Sequence, residues 1–371
     1  MMDQFEPVFV YVKVGEPTKN GDVVKYSIVS QKVTEDESTA TVVRQYEDFE
    51  WLHHCMVTQN NLEGVIVPPL PPKPLVDPKI TEKQTKEKLG SDTKLLKGDE
   101  YEKDSRNLEK YLKLVVTHSA FGTDATLDKF LRETEPPCRT NVKKGFFNKV
   151  TSAVNEVRKG GHKDVDEHFV KEKDWLNEYS IHIKSSATTF SKTVSNQEKL
   201  AQGYLHLATA LNLGGTLYDE DDENGQTIHR LSVQLSEAYE DAKHGLLVDC
   251  ANDELTMGHQ LDLYARFVDA EKEMLFRRLC RLIEYEDANR AVEKAKPQKR
   301  PAAEEVQVAA EKTYQDCTEK SKKELKSFHH DRVLALQDGL VRFADAKVKT
   351  ARDTFALLAK SLSSLKQIQL P

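Results

Sequence analysis

Apolar and polar positions along residues 8–44 alternate as half-buried strands require. Val8–Val14 is apolar and β-branched, Val23–Ser30 follows a turn marked by Pro17 and Asn20-Gly21, and Thr39–Arg44 follows the acidic turn Glu35–Glu37. Together they predict a three-stranded antiparallel meander. From Asp48 to Thr58 the period becomes helical, and at 65–74 the run VIVPPLPPKP imposes an extended, proline-shaped loop. Further helices are predicted over Glu100–Thr117 and Ala125–Arg132, with Gly90 and Gly98 interrupting the segment before them, and Pro136-Pro137 closes this first unit.

Beyond the prolines strand signals vanish and long helical stripes take over. Phe169, Leu176, Ile183 and Phe190 stand seven apart, and Trp175, Tyr179, Val194, Ala201, Leu205 and Ala208 widen that stripe. A second helix carries Ile228, Leu231 and Leu235, then Leu261, Tyr264, Val268, Leu275 and Leu282; a third runs from Leu325 through Phe343, Val348 and Phe355 to Leu365. At 1.5 Å per residue, a helix over 165–211 is roughly 70 Å long, more than a compact domain can cover. Three such helices predict an elongated antiparallel bundle. The width and aromatic content of the stripes leave apolar surface for a second protomer, with Phe169, Trp175, Leu176, Ile183, Phe190, Phe343 and Phe355 as the dimerisation residues.

Composition supports helical rods over a single large core. Of 371 residues, 38% are hydrophobic and 31% charged, and the mean hydropathy is −0.61. A net charge of −7 argues against a general nucleic-acid binder without excluding local basic patches. The five cysteines are scattered, with no Cys-x-x-Cys, so a zinc site and a disulfide framework are not indicated and a reducing compartment is expected. The first residues are unlike a secretory signal, and no stretch approaches the roughly 20 apolar residues of a bilayer span, so any membrane contact is expected to be peripheral.

Two segments carry the charge such contact needs. Residues 143–163 have a net charge of +5 from Lys143, Lys144, Lys149, Arg158, Lys159 and Lys163 against Glu156. Phe146, Phe147, Val150, Val154 and Val157 share one helical face there, which predicts a short basic amphipathic helix that lays its apolar side into a headgroup boundary. The connector 294–301 supplies Lys294, Lys296, Lys299 and Arg300, with Arg277, Arg278 and Arg281 on the helix leading to it. A second connector, 219–225, is acidic, but its spacing puts Leu231 where a calcium loop needs a glutamate. The pairs His53-His54 and His329-His330 point in different directions on helices and are read as surface or boundary residues, so no metal is expected. Phosphate-loop, nucleophile-elbow, zincin and dinucleotide motifs are absent, so catalysis has no candidate site and no cofactor is implied.

Arg44-Gln45-Tyr46-Glu47-Asp48-Phe49-Glu50-Trp51-Leu52 resembles the signature joining the third strand to the first helix of PX domains, and Pro68–Pro74 lies where those domains carry a proline-rich loop. Followed by a helical linker and three long helices, the arrangement is similar to the PX-BAR sorting nexins, with the five/six subgroup the nearest in motif. The resemblance implies an α+β PX domain over 1–135, a linker with the basic helix over 136–163, and an all-α BAR domain over 164–371. In that family an arginine directly before the aromatic holds a lipid 3-phosphate, and here Gln45 stands in its place. Asp104 occupies the position of a second family arginine, leaving Lys73 as a phosphate contact and Tyr46 as the stacking ring. An amide cannot form the bidentate, charge-assisted pair a guanidinium makes, and a carboxylate repels the headgroup, so the pocket is expected to be degenerate.

The resemblance further implies a non-enzymatic dimer, with another sorting nexin or with itself, on the cytosolic face of early endosomes. Its expected partners are anionic or phosphoinositide membranes, cargo-receptor tails, retromer and dynein–dynactin. The first strand opens the meander, so its outer edge offers a template for strand addition. Val10, Tyr11, Val12 and, from the segment across the groove, Tyr101 are the candidate cargo residues. The competing reading is a soluble coiled-coil motor adaptor that has lost lipid binding.

Overall fold

The computed structural model describes residues 7–20, 23–33, 39–74, 101–137, 164–214 and 222–368. Strands β1 (Phe9–Asn20), β2 (Val23–Lys32) and β3 (Thr39–Gln45) form one antiparallel sheet in the order β1-β2-β3. Tyr11 pairs with Gln31, Val14 with Ile28, and Ser27 with Val43. β1 runs six residues past the predicted end, because a register shift between Val14 and Pro17 accommodates the proline, which an edge strand tolerates.

Alternation along the strands turns Phe9, Val12, Val14, Tyr26, Ile28 and Val42 inward. Three helices cover that face: α1 (Tyr46–Gln59), α2 (Tyr101–Val116) and α3 (Ala125–Arg132). Phe49 sits at the centre, edge-on to Tyr26 at 6.3 Å and to Phe130 at 5.1 Å. Arg44 is 1% exposed and spends its donors on backbone, with Nε 3.0 Å from the Phe130 carbonyl and Nη1 3.0 Å from that of Val43. The motif arginine therefore ties β3 to α3. Asp124 caps α3, accepting from the Thr126 amide at 2.6 Å and from Asn60 at 2.6 Å.

The remaining elements are helical: α4 (Glu167–Gly214), α5 (Glu223–Asp253), α6 (His259–Lys294) and α7 (Arg300–Gln367). The second predicted stripe is thus split, and a π-helical turn at Glu254–Gly258 joins α5 to α6. None of the described helices is long and apolar enough to cross a membrane. The described residues fall into two units. One holds the α+β fold with residues 164–180 and Arg266–His330; the other holds Ile181–Ala265 and the chain from Asp331 onward.

In the first unit, Arg278 is fully buried and satisfied on every side. Its guanidinium lies 3.6 Å over the Phe169 ring, pairs with Asp164, and donates to Tyr314 Oη at 2.9 Å and Thr318 Oγ1 at 3.1 Å. The second unit is built around close helix contacts. Lys347 bridges Asp249 at 2.6 Å and Asp253 at 2.7 Å, and Asn252 donates to Thr350 at 3.1 Å. Gly245 has no room for a side chain against Thr354, and Gly258, in the π turn, packs under Phe190.

Candidate functional site

Gln45 and Tyr46 of the PX-like motif stand where β3 meets α1. Gln45 ends β3, and its amide donates to Asp48 Oδ2 at 2.7 Å, which fixes the strand-to-helix corner. Tyr46 follows as the first helical residue and is 7% exposed, with its hydroxyl donating to the Pro71 carbonyl at 2.6 Å. This corrects the expectation of an open stacking ring: Tyr46 is a core residue that pins the proline loop to α1. Burial, with Glu50, Asp104 and Glu47 nearby, raises its pKa well above the ordinary tyrosine value against the opposing influence of Arg266.

Lys73, the remaining lysine of the pocket, lies 2.8 Å from Glu47 Oε1. Its charge is already balanced by a carboxylate one residue beyond Tyr46. The lysine that the motif leaves for a phosphate therefore already faces a carboxylate.

The predicted basic segment with Lys143, Lys144, Phe146, Phe147, Lys149, Val150, Val154, Arg158 and Lys159 lies outside the described residues. The basic connector is described: Lys294, Lys296, Lys299 and Arg300 are all exposed at the turn between α6 and α7, with Arg300 Nε 3.0 Å from Glu304. The three arginines before it are not a membrane patch. Arg278 is internal, Arg277 donates to the Leu62 and Val65 carbonyls, and Arg281 pairs with Glu63 at 2.7 Å.

On β1, Val10 is 65% and Tyr11 43% exposed, whereas Val12 is 3% exposed and offers a partner only its backbone. The Val14 amide donates to Glu109 Oε2 on α2 at 3.0 Å, so this edge group is already satisfied. Because strand groups alternate, the Val12 amide faces the same outward side as that of Val14. The Tyr101 side chain lies outside what is described.

The dimer residues divide sharply. Phe169, Leu176 and Ile183 are 2%, 1% and 6% exposed and belong to the protomer's own core, because the seven-residue period serves inner and outer faces alike. Phe190 and Phe343 pack edge-on to each other at 6.1 Å, and Trp175 stacks on Tyr179 at 4.8 Å. Phe355 stays 74% exposed, in a ladder not foreseen as such: Leu334, Val341, Val348, Phe355 and Leu362 recur every seven residues on α7, each at least half exposed. Of the histidine pairs, His53, His54 and His329 are half-buried and His330 is exposed. His53 is packed against Tyr111, 3.1 Å from its hydroxyl, and His329 Nε2 lies 2.8 Å from Glu172, near Glu271.

Comparison with known proteins places this geometry. A PX domain model matches residues 32–134, and a model described as Vps5 C terminal like matches 143–308. Sorting nexin-32 of Mus musculus is 25% identical over 96% of this chain and 92% of its own length. Sorting nexin-6 of Homo sapiens is 26% identical over 95% of this chain and 91% of its own. Among solved structures, the cryo-EM structure of the SNX-BAR Mvp1 tetramer superposes with a TM-score of 0.55 at 13% identity, covering 95% of this chain and 99% of that one, which establishes a shared fold.

Proposed function

The chain belongs to the PX-BAR sorting nexins, non-enzymatic scaffolds and adaptors with a membrane-associated sorting role, and on that premise we propose that it acts as a dimeric scaffold on early endosomes. In this reading membrane affinity comes chiefly from the basic segment 143–163 and the exposed turn Lys294–Arg300, and only weakly from the headgroup pocket around Gln45 and Lys73. Cargo tails add as a strand to the outer edge of β1. A second sorting nexin, retromer and dynein–dynactin are the protein partners that fit this role.

The observation that carries the reading is the exposed heptad ladder on α7, from Leu334 to Leu362. Five half-exposed apolar side chains lose roughly 1 kcal/mol each by facing water, a cost that a second helical surface removes. Sedimentation with anionic vesicles, combined with molar-mass measurement in solution, tests it: a dimer that pellets with vesicles and loses both properties together is expected. A stable monomer that ignores vesicles, with or without a candidate partner, would instead favour the soluble-adaptor reading, which the Lys73–Glu47 pair makes the serious competitor.

A further inference from the structure

The proline loop is gripped from outside the PX fold. Between α1 and Lys73 the chain has no regular structure, so its backbone groups must find partners elsewhere. Several find them on α6 and α7. Arg277 donates through Nε to the Leu62 carbonyl at 3.1 Å and through Nη2 to the Val65 carbonyl at 2.6 Å. Glu324 accepts the Ile66 amide at 3.0 Å, Arg281 pairs with Glu63 at 2.7 Å, and Arg266 donates to the Pro69 carbonyl at 3.3 Å.

Two further details show that the fit is close. Gly64 has φ +69°, and a Cβ there would stand 2.8 Å from the Ser321 amide nitrogen and 2.9 Å from Lys320 Cβ, so loop and α7 touch backbone to backbone. His118 accepts the Ala120 amide through Nδ1 at 3.0 Å, which leaves Nε2 as the protonated nitrogen donating to Glu324 at 3.1 Å. Glu324 is thus held by the α+β fold on one side while it holds Ile66 on the other.

Fixing an irregular segment costs backbone entropy at every residue. For Leu62–Pro69 that cost is offset by groups on α6 and α7 as well as by burial of Val65, Ile66 and Val67. We infer that Arg277, with Arg281 and Glu324, positions the proline loop, so that Lys73 and the Tyr46–Pro71 contact take up their pocket geometry only while the helical region grips the loop. The inference deepens the proposed membrane role: any group that binds the pocket with the loop docked also strengthens the grip, by linkage. Arg277 touches no ligand; it acts through the loop.

The test uses the full chain and a readout beyond the grip. A zero-length carbodiimide cross-link between Lys73 and Glu47, 2.8 Å apart, reports whether the loop's far end is in place. Arg277→Met is expected to lower its yield about fivefold and to speed amide exchange over 62–73 about tenfold, with exchange in β1–β3 unchanged. Should Arg277→Met fail to fold, Glu324→Gln, which weakens only one anchor, is expected to move the same two readouts in the same direction. Unchanged cross-linking and exchange in a folded variant would overturn the inference. Loss of vesicle binding by the unmodified chain would bear on the proposed function instead and leave these loop readouts intact.

Discussion

Lys73 and Glu47 face each other at 2.8 Å, one from the proline loop and one from the first turn of α1. Both side chains are well exposed, so the pair contributes at most about 1 kcal/mol. Its importance lies in competition: a phosphate approaching Lys73 must displace a carboxylate that is covalently part of the protein.

Removing that competitor is expected to help lipid binding modestly. Glu47→Gln should raise affinity for vesicles containing phosphatidylinositol 3-phosphate by up to about fivefold, the equivalent of 1 kcal/mol, while the unmodified chain shows little headgroup preference. Vesicle sedimentation across headgroups checks both statements. Strong selective binding by the unmodified chain would show that the pocket is not degenerate.

Acid should weaken the α+β fold through His53. Burial, then the neighbouring His54 charge, lowers its pKa from 6.5 to about 4. The unfolded chain therefore takes up a proton before the folded one does. Stability from this group is fully present above pH 6.5 and is lost as the pH falls toward 4, amounting to about 3 kcal/mol. Urea titrations at pH 7.5 and 5.0 should differ by about 2 kcal/mol of that, and His53→Gln should flatten the difference.

In the second unit, Gly245→Ala is expected to destabilise by about 1–2 kcal/mol, because the added Cβ overlaps Thr354 Oγ1 and comes within 3.0 Å of its Cγ2. Thr354→Ala removes the obstacle. Thermal unfolding of the two single variants and the double should therefore reveal a favourable coupling between them, whereas additive losses would mean that the helices separate freely.

Phe355→Asp places a charge in the exposed ladder of α7 and should convert the dimer to a monomer by light scattering without lowering the monomer's own stability. Phe169→Ala is the contrasting case. Its ring lies under Arg278 inside the protomer, so it should cost about 3–5 kcal/mol of stability whatever the oligomeric state.

For strand addition at β1, Glu109 is the gate. Its carboxylate occupies the outward Val14 amide, so Glu109→Ala is expected to lengthen the available edge and tighten binding of an extended tail peptide, and Val12→Pro to abolish it. Isothermal titration with both variants, each shown to be folded, decides; identical affinities would remove this edge from consideration.

The elements themselves were largely legible. Ala125–Arg132 is predicted and found with the same ends, and the three strands follow from alternation alone. Which face of a long helix turns inward was not legible, because Ile183 and Val348 obey the same period, yet one is 6% and the other 51% exposed. Nor was the fate of Arg277, Arg278 and Arg281, which in sequence resemble a solvated basic stripe. Arg277 reaches carbonyls more than 200 residues away, and a backbone acceptor leaves no mark in the amino-acid pattern. Pro17 signalled a turn for the usual reason, and only its place on an edge strand let β1 continue through it.

The π-helical turn at Glu254–Gly258 fits one extra residue into the path between α5 and α6 without interrupting it. One residue on a helix is about 100° of rotation. Deleting any of these five residues would heal the turn into ordinary helix and swing the residues that follow it, 259–265, by that angle against α5. Substitutions here are local in effect, but a gain or loss of length acts as a frameshift acts on a message, with everything downstream still spelled correctly and facing the wrong way. Related chains should therefore vary in identity at this turn far more readily than in length.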